Sequence, residues 1–213
     1  SLFLNLPFAL SLVFLLAFLI NLPDDKKISP LQLIKLSLLG GLLSQTKIYA
    51  FILLVAALFL NRQIILTFTV GLVGSIFTLP FASISGSPFL FEPLWFPRSL
   101  FASQDRFYWP KLVQAWQAYE ARGDFLKLFA VNLFAVVIFF VGNLGMRLFG
   151  LFDLLKTKTE SSSQKIVGWI IIIGLLLPLL VIQTDNPWNT IQFTYYPLFF
   201  LGLYTAKAVS RIA

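Results

Sequence analysis

Apolar stretches alternate with short polar stretches along most of the chain, and the apolar stretches have the length of membrane-spanning helices. Because an α-helix rises about 1.5 Å per residue, each of them can span a hydrocarbon core of about 30 Å. The pattern predicts an all-α polytopic transmembrane helix bundle with about five spanning helices. These stretches are Leu6–Leu22, Ile64–Ala82, Leu126–Phe149, Ile166–Gln183 and Phe193–Val209.

A further apolar stretch, Leu31–Leu60, is interrupted by Gln45-Thr46-Lys47 and allows two interpretations. It could be one tilted span that follows an amphipathic turn, or a short helical hairpin that enters and leaves on the same side. With a hairpin, one side of the protein carries ten Lys and Arg against four Asp and Glu, and the other side carries five of each. With a single crossing, the basic residues divide almost equally. Because cytoplasmic loops carry an excess of Lys and Arg, we predict the hairpin.

The same charge distribution predicts the topology of residues 1–213 as a single transmembrane domain. The basic side, which includes Leu151–Lys165, Arg147 and the C-terminus, is predicted to be cytoplasmic. Two segments are predicted to lie outside, namely the extracytoplasmic loop Ile84–Asp124 and the stretch Thr184–Gln192. From Trp109 the loop has the pattern of an amphipathic interfacial helix. The apolar face of this helix consists of Leu112, Trp116 and Tyr119.

The composition agrees with a membrane protein and excludes several kinds of chemistry. Hydrophobic residues make up 58% of the 213 residues and charged residues only 12%, whereas about 25% of a soluble domain is charged. The chain contains neither Cys nor His, which excludes disulfides, thiolate metal sites and a histidine base. Its net charge of +7 is explained by cytoplasmic loops, so we expect a lipid bilayer as partner and no nucleic acid.

Candidate binding residues occur first in the predicted extracytoplasmic loop, in the sequence QDRFYW. Asp105 and Arg106 stand beside Tyr108 and Trp109, and Arg98 precedes them. A guanidinium can bind phosphate through two hydrogen bonds, and aromatic rings stack on sugars. The simpler interpretation of Asp105 and Arg106 is a local ion pair or a helix cap.

Lys47 is a second candidate because it interrupts an apolar hairpin. A lysine inside a bilayer costs about 2.5–3.5 kcal/mol, so it indicates a functional role by default. At the tip of the hairpin its ammonium could reach a water-filled cavity or an anionic group. The alternative is that the side chain extends to the membrane interface, as lysines near helix ends commonly do.

The stretch TDNPWNTIQFTYYP holds the third group of candidates, between two apolar runs. Amide side chains can form hydrogen bonds with sugar hydroxyls, and a helix N-terminus attracts anions. The alternative interpretation is an N-cap turn with a belt of interfacial aromatic residues. The predicted substrate-binding residues here are Asp185, Asn186, Trp188, Asn189 and Gln192.

Three segments of the sequence resemble multi-spanning GT-C glycosyltransferases, the relatives of protein mannosyltransferases and lipid A aminoarabinose transferases. They are GGLLSQTKIYAFILL, PLWFPRSLFASQDRFYWPKL and NPWNTIQFTYYPLFFLG. The resemblance implies a bacterial plasma-membrane transferase with an outward-facing site. Its donor would be a polyprenyl-phosphate-linked sugar, and its acceptor a glycan, lipid or protein.

The family's catalytic carboxylate lies in the first outer loop, and no position of this chain matches it. We therefore expect the chain to be the C-terminal part of a longer protein, with the base outside it. No metal site and no cofactor other than the lipid-linked substrate is evident from the sequence. The alternative function is a transporter or lipid-handling module without covalent chemistry, to which intramembrane charge and broken helices would also belong.

Overall fold

The computed structural model describes residues 6–24, 28–81, 88–156 and 161–211. Parts of two predicted loops, residues 84–87 and 157–160, lie outside the described residues. The described chain folds into ten α-helices, two 3₁₀ turns at Leu79–Phe81 and Pro187–Ile191, and one small sheet. The helices are α1 Leu6–Asn21, α2 Pro30–Thr46, α3 Ile48–Leu60, α4 Ile64–Thr78, α5 Trp95–Ala102, α6 Pro110–Arg122, α7 Phe125–Leu144, α8 Arg147–Lys156, α9 Ser162–Leu180 and α10 Gln192–Ser210.

Two of these helices, α7 and α9, are long and apolar enough to cross a membrane by themselves. Three shorter apolar helices, α1, α3 and α4, have between 13 and 16 residues. The all-α class is therefore confirmed. The larger number of spans predicted from hydropathy is not shown, because α1 and α4 are shorter than 18 residues and α10 is not among the helices that are apolar enough.

Helices α2 and α3 form the predicted helical hairpin, with Lys47 alone in the turn between them. Helix α4 then runs parallel to α2: Ser37 donates a hydrogen bond to Thr69 near one end, and Gln45 donates to the carbonyl of Phe77 near the other. Small residues allow this close packing, since a Cβ on Gly40 would lie 2.8 Å from Val70. The end of the bundle at the hairpin turn is called the Lys47 end below.

The opposite end, called the Ser162 end, joins the first half of the chain to the second. The hydroxyl of Ser163 donates to the carbonyl of Leu19 at 2.8 Å, and the backbone N–H of Ser162 donates to Asp24 at 3.0 Å. Nearer the Lys47 end, the hydroxyls of Ser11 and Tyr196 share a buried hydrogen bond of 2.7 Å. Helix α1 is thus fixed to the C-terminal helices by polar contacts at both ends.

The predicted span Leu126–Phe149 is not one helix, because the chain breaks at Gly145. This residue has φ 50° and ψ −126°, a conformation open to glycine and strongly unfavourable for other residues. Helix α8 then descends beside α10, where the Nε of Arg147 donates to the carbonyl of Leu198 at 3.0 Å. The sequence predicted Arg147 near the cytoplasmic end of this span, whereas it lies beside α10 about a third of the way along that helix.

Helices α5, α6 and α7 form a separate unit attached to the Lys47 end, called the α5–α7 unit. The sheet pairs β1, Phe89–Phe91, antiparallel to β2, Val181–Gln183, and so joins the unit to α9. The predicted helix after Trp109 is present as α6. Its Trp116 is 6% exposed and packs against Phe101 and Ala135. The apolar face of α6 is therefore directed at α5 and α7.

Candidate functional site

The Lys47 end brings together segments that are far apart in the sequence. The hydroxyl of Tyr49 donates a short hydrogen bond to the side-chain oxygen of Gln183. The backbone N–H of Gln183 donates to the hydroxyl of Thr190, which is fully buried, at 2.9 Å. The hairpin turn and the loop that follows β2 are thereby connected through two hydrogen bonds, both of which involve Gln183.

The candidate residues in the loop between α5 and α6 form a platform that includes Asp105 and Arg106. This platform touches the loop after β2 at one contact. The guanidinium carbon of Arg106 lies 4.6 Å from the centre of the Trp188 ring, within the range of a cation–π interaction. Arg106 also pairs with its neighbour Asp105 at 3.4 Å, and the side chains are 47% and 75% exposed. The ion pair agrees with the simpler interpretation of Asp105 and Arg106, and the contact joins two segments that were both predicted to lie outside.

Trp188 is held in place by other aromatic rings. It packs edge-to-face against Trp95 at 5.3 Å and against Phe96 at 5.4 Å between ring centres. Phe96 in turn contacts Phe139 of α7. Trp188 therefore supports Arg106 from a packed aromatic cluster. Its predicted stacking on a sugar remains a prediction.

The polar residues around Trp188 largely bind one another. The side chain of Asn186 accepts a hydrogen bond from the N–H of Trp188 and caps the 3₁₀ turn, so the capping interpretation is confirmed for this residue. Gln192 donates to Asn189 at 3.1 Å. The Oε1 of Gln192 is buried without a partner among the described residues. Asp185 is exposed at the surface of the loop.

Arg98 belongs to a different set of contacts, within the α5–α7 unit. Its Nε donates to the side-chain oxygen of Asn132 at 3.0 Å, and its guanidinium lies 5.7 Å from the ring centre of Trp116. The indole N–H of Trp116 is buried and finds no acceptor in the described part of the chain. The guanidinium and the indole N–H are hydrogen-bond donors, so the arrangement is suited to an anion.

Lys47 lies at the hairpin turn and is half-buried. Burial lowers the pKa of its ammonium group, because desolvation disfavours the charged form. The ammonium lies 5.7 Å from the ring centre of Tyr49. Tyr49 is the residue whose hydroxyl donates to Gln183. Tyr108 and Trp109 are exposed, at 48% and 37%, and Trp109 is the N-cap residue that precedes α6.

Two surface cavities lie at the Ser162 end, away from the predicted site residues. One is lined by α9 and α10, and the other by α8 and α10. Within the described residues, no group of three or more acidic side chains is placed to hold a metal ion. Of the predicted residues, Asp105, Arg106 and Trp188 form one set of contacts at the surface of the Lys47 end, and Lys47 lies at the same end of the bundle.

Five residues with polar or cation–π contacts at this end were not predicted to be site residues. Asn132 is the only amide in the first four turns of the apolar helix α7. An isolated amide in an apolar helix is a signal from which its role could have been predicted. The tyrosine and the glutamine at the hairpin contact gave no comparable signal, because their partners are more than a hundred positions away. These residues are Tyr49, Trp116, Asn132, Gln183 and Thr190.

No family model matches the chain, and no curated protein and no solved structure is significantly similar to it.

Proposed function

We propose that the chain is embedded in a bacterial plasma membrane, with the Lys47 end and the α5–α7 unit on the extracytoplasmic side. The charge distribution of the folded chain supports this orientation. Among the described residues, six Lys and Arg and two Asp lie at the Ser162 end, whereas six basic and five acidic residues lie at the Lys47 end and on the α5–α7 unit. The excess of basic residues at the Ser162 end is typical of a cytoplasmic face.

We further propose that the protein is a GT-C-type glycosyltransferase module that uses a polyprenyl-phosphate-linked sugar and an extracytoplasmic acceptor. The observation that carries this proposal is the contact between Arg106 and Trp188, which joins two polar aromatic segments into one platform. Both segments carry the resemblance to the family. A cation beside aromatic rings at the membrane surface suits a substrate with a phosphate and a sugar.

In the proposed reaction, the oxygen of an acceptor hydroxyl attacks the anomeric carbon of the sugar, and the bond from that carbon to the phosphate oxygen breaks. The polyprenyl phosphate leaves with the electron pair, and a general base takes the hydroxyl proton. Arg106 is assigned to the phosphate, where its positive charge stabilises the charge that develops on the leaving group. Arg98 and Lys47 are further candidates for this interaction. The base is assigned to no residue of this chain.

The phosphate-binding role of Arg106 can be tested by measuring the affinity of the purified protein in detergent for a polyprenyl phosphate. We expect Arg106→Gln to weaken binding about tenfold, which corresponds to about 1.4 kcal/mol. Trp188→Ala should act in the same direction, because the guanidinium loses the ring that positions it, whereas Trp188→Phe should retain most of the affinity. Arg122→Gln is the matched control, since it removes an exposed positive charge from the same unit.

Unchanged affinity in both Arg106→Gln and Arg98→Gln would show that the platform does not bind the phosphate. Transfer is followed in parallel, as release of labelled sugar from polyprenyl-phosphate donors onto membrane acceptors. Binding that depends on Arg106 without transfer from any donor would instead favour a lipid-handling module. The two measurements thus separate recognition of the lipid phosphate from the covalent step.

A further inference from the structure

We propose that the groove between α8 and α10 at the Ser162 end binds an anionic glycerophospholipid of the cytoplasmic leaflet. This inference rests on the proposed membrane orientation but not on sugar transfer. The groove has a volume of about 420 Å³. Its walls are mostly apolar, and charged side chains stand at the end of α8. The residues that matter are Met146, Phe149, Phe152, Lys156, Ala208 and Arg211.

The groove lies beside a close contact between α8 and α10. At Gly150 a Cβ would collide with the backbone of α10, including the N–H of Thr205 at 2.8 Å. The side chains on the flank of this contact, Phe149 and Phe152, are 53% and 59% exposed. Large apolar side chains beside a close helix contact leave a channel that is open to the surrounding lipid.

The charges at the end of the groove favour an anionic headgroup. Arg211 forms an ion pair with Asp153, whose side chain is only 9% exposed, so this cation is largely neutralised. Lys156 lines the same groove in the last turn of α8 and is exposed. The ion pair orders the groove, and Lys156 provides a net positive charge. Basic pockets between helices at the cytoplasmic face characteristically bind anionic headgroups.

The length of the groove matches one lipid leaflet. Ten residues separate Met146 from Lys156, and at about 1.5 Å per residue they span about 15 Å. A hydrocarbon core is about 30 Å thick, so this distance is about half of it. A lipid with its phosphate at Lys156 would place an acyl chain against the phenylalanines and reach the level of Met146 near the middle of the bilayer.

A second, smaller cavity on the other side of α10 carries a further cation. It has a volume of about 250 Å³, and Lys207 and Tyr204 are among its lining residues. Since both cavities open at the Ser162 end, Lys207 adds to the positive potential around the headgroup. The same end of α10 is thus flanked by apolar grooves and basic side chains.

Native mass spectrometry of the purified protein tests this proposal, with phosphatidylglycerol and phosphatidylcholine added separately to the detergent. We expect the wild type to retain phosphatidylglycerol in preference to phosphatidylcholine. Lys156→Gln should reduce retained phosphatidylglycerol about fivefold and leave phosphatidylcholine unchanged. Ala208→Trp fills the groove and should reduce both lipids.

Arg62→Asn is the matched control, because it removes a positive charge from the same end, outside the groove. Arg62 has φ 59°, a conformation that asparagine tolerates, so this variant should fold and bind both lipids like the wild type. The melting temperature of each variant is measured beside the spectra. Equal retention of the two lipids by the wild type, or wild-type retention by folded Lys156→Gln and Ala208→Trp, would overturn the proposal. Failure of sugar transfer would leave the result unaffected.

Discussion

The two long apolar helices of this protein have almost the same length but opposite surroundings. Helix α9 packs between α3 and α10, and 39% of its most apolar window is buried. Helix α7 belongs to the α5–α7 unit, and only 11% of the corresponding window is buried, although its hydropathy is higher. Hydropathy therefore identifies apolar helices, but it does not distinguish a helix surrounded by protein from one whose apolar surface is open.

The difference between the two helices follows from the small residues that each presents. In α9, a Cβ on Gly174 would lie 2.6 Å from Pro197 and 2.8 Å from the carbonyl of Phe193, so α10 can approach closely. In α7, a Cβ on Gly142 would have no neighbour within 4 Å. Helices associate in lipid by close packing. Gly174 therefore lets α9 pack closely against α10, whereas Gly142 of α7 has no such neighbour.

The largest effect on stability is expected from substitution of Phe139, the residue that joins α7 to the bundle. Phe139 is 2% exposed and lies in a cluster with Phe96 and Leu179, whereas Phe129 on the same helix is 64% exposed. We expect Phe139→Ala to lower the free energy of unfolding by about 3 kcal/mol. This value is at the low end of the range for truncation of a buried aromatic ring. Thermal unfolding in detergent measures it.

Phe129→Ala is the control for this substitution and should change the melting temperature little. Equal effects of the two substitutions would mean that α7 is buried along its whole length. The comparison between α7 and α9 would then fail, because both helices would be surrounded by protein.

An intermediate effect is expected from a pair of alanine substitutions at glycines. Gly150→Ala should destabilise the protein by about 2 kcal/mol, because the added methyl group meets backbone atoms of α10 that cannot move aside. Gly142→Ala should instead stabilise it by about 0.5 kcal/mol, since alanine is the better helix former and nothing obstructs the methyl group. The opposite signs are read from chemical unfolding of both variants. A loss of stability in both would show that α7 has a close neighbour.

The smallest effect concerns the start of α7. Asp124 accepts a hydrogen bond from the backbone of Lys127 and pairs with its ammonium group at 2.7 Å. The side-chain hydrogen bond from Lys127 lowers the pKa of Asp124. Since folding lowers the pKa of Asp124, the stabilisation that its interaction with Lys127 gives to the folded state is complete above the ordinary carboxyl pKa of about 3.9. It disappears as the pH falls through the folded-state value.

Asp124→Asn should therefore melt slightly below the wild type at pH 7, and the difference should vanish in acid. Melting temperatures recorded from pH 7 down to pH 3 provide the measurement. A difference that persists or grows on acidification would assign the effect to the cap itself and not to the charge. Asp124 is exposed, so even a complete loss should leave the helix bundle folded.

Helix boundaries show how far local signals reach. Helix α9 begins at Ser162, four residues before the predicted apolar run, because Ser161 and Gln164 form a capping box. The motif Ser-x-x-Gln is visible in the sequence and could have placed the boundary. The break at Gly145 could not be located in the same way, because several glycines occur in apolar runs and only one adopts the positive φ that ends a helix there.

Part of the candidate site was predictable, since Asp105, Arg106 and Trp188 all stand in polar aromatic segments on one side of the predicted membrane. The interaction of Arg98 with Asn132 was not, because it joins α5 to α7 across 34 positions and requires the orientation of both helices. The same reason explains why the groove between α8 and α10 was not predicted. The groove depends on the position of α8 along α10, which is marked by the hydrogen bond from Arg147 to Leu198.

The sequence by itself determined that the chain is helical and apolar, that α2 and α3 form a hairpin around Lys47, and which segments carry its polar groups. These properties follow from composition and from charges counted along the chain, which need no knowledge of long-range contacts. Only the tertiary structure decided that α7 ends at Gly145, that Arg106 meets Trp188, and which apolar faces remain open. Each depends on side chains that pack across large sequence separations, and the physical reason is steric: helices approach where glycines allow it, and grooves remain where they do not.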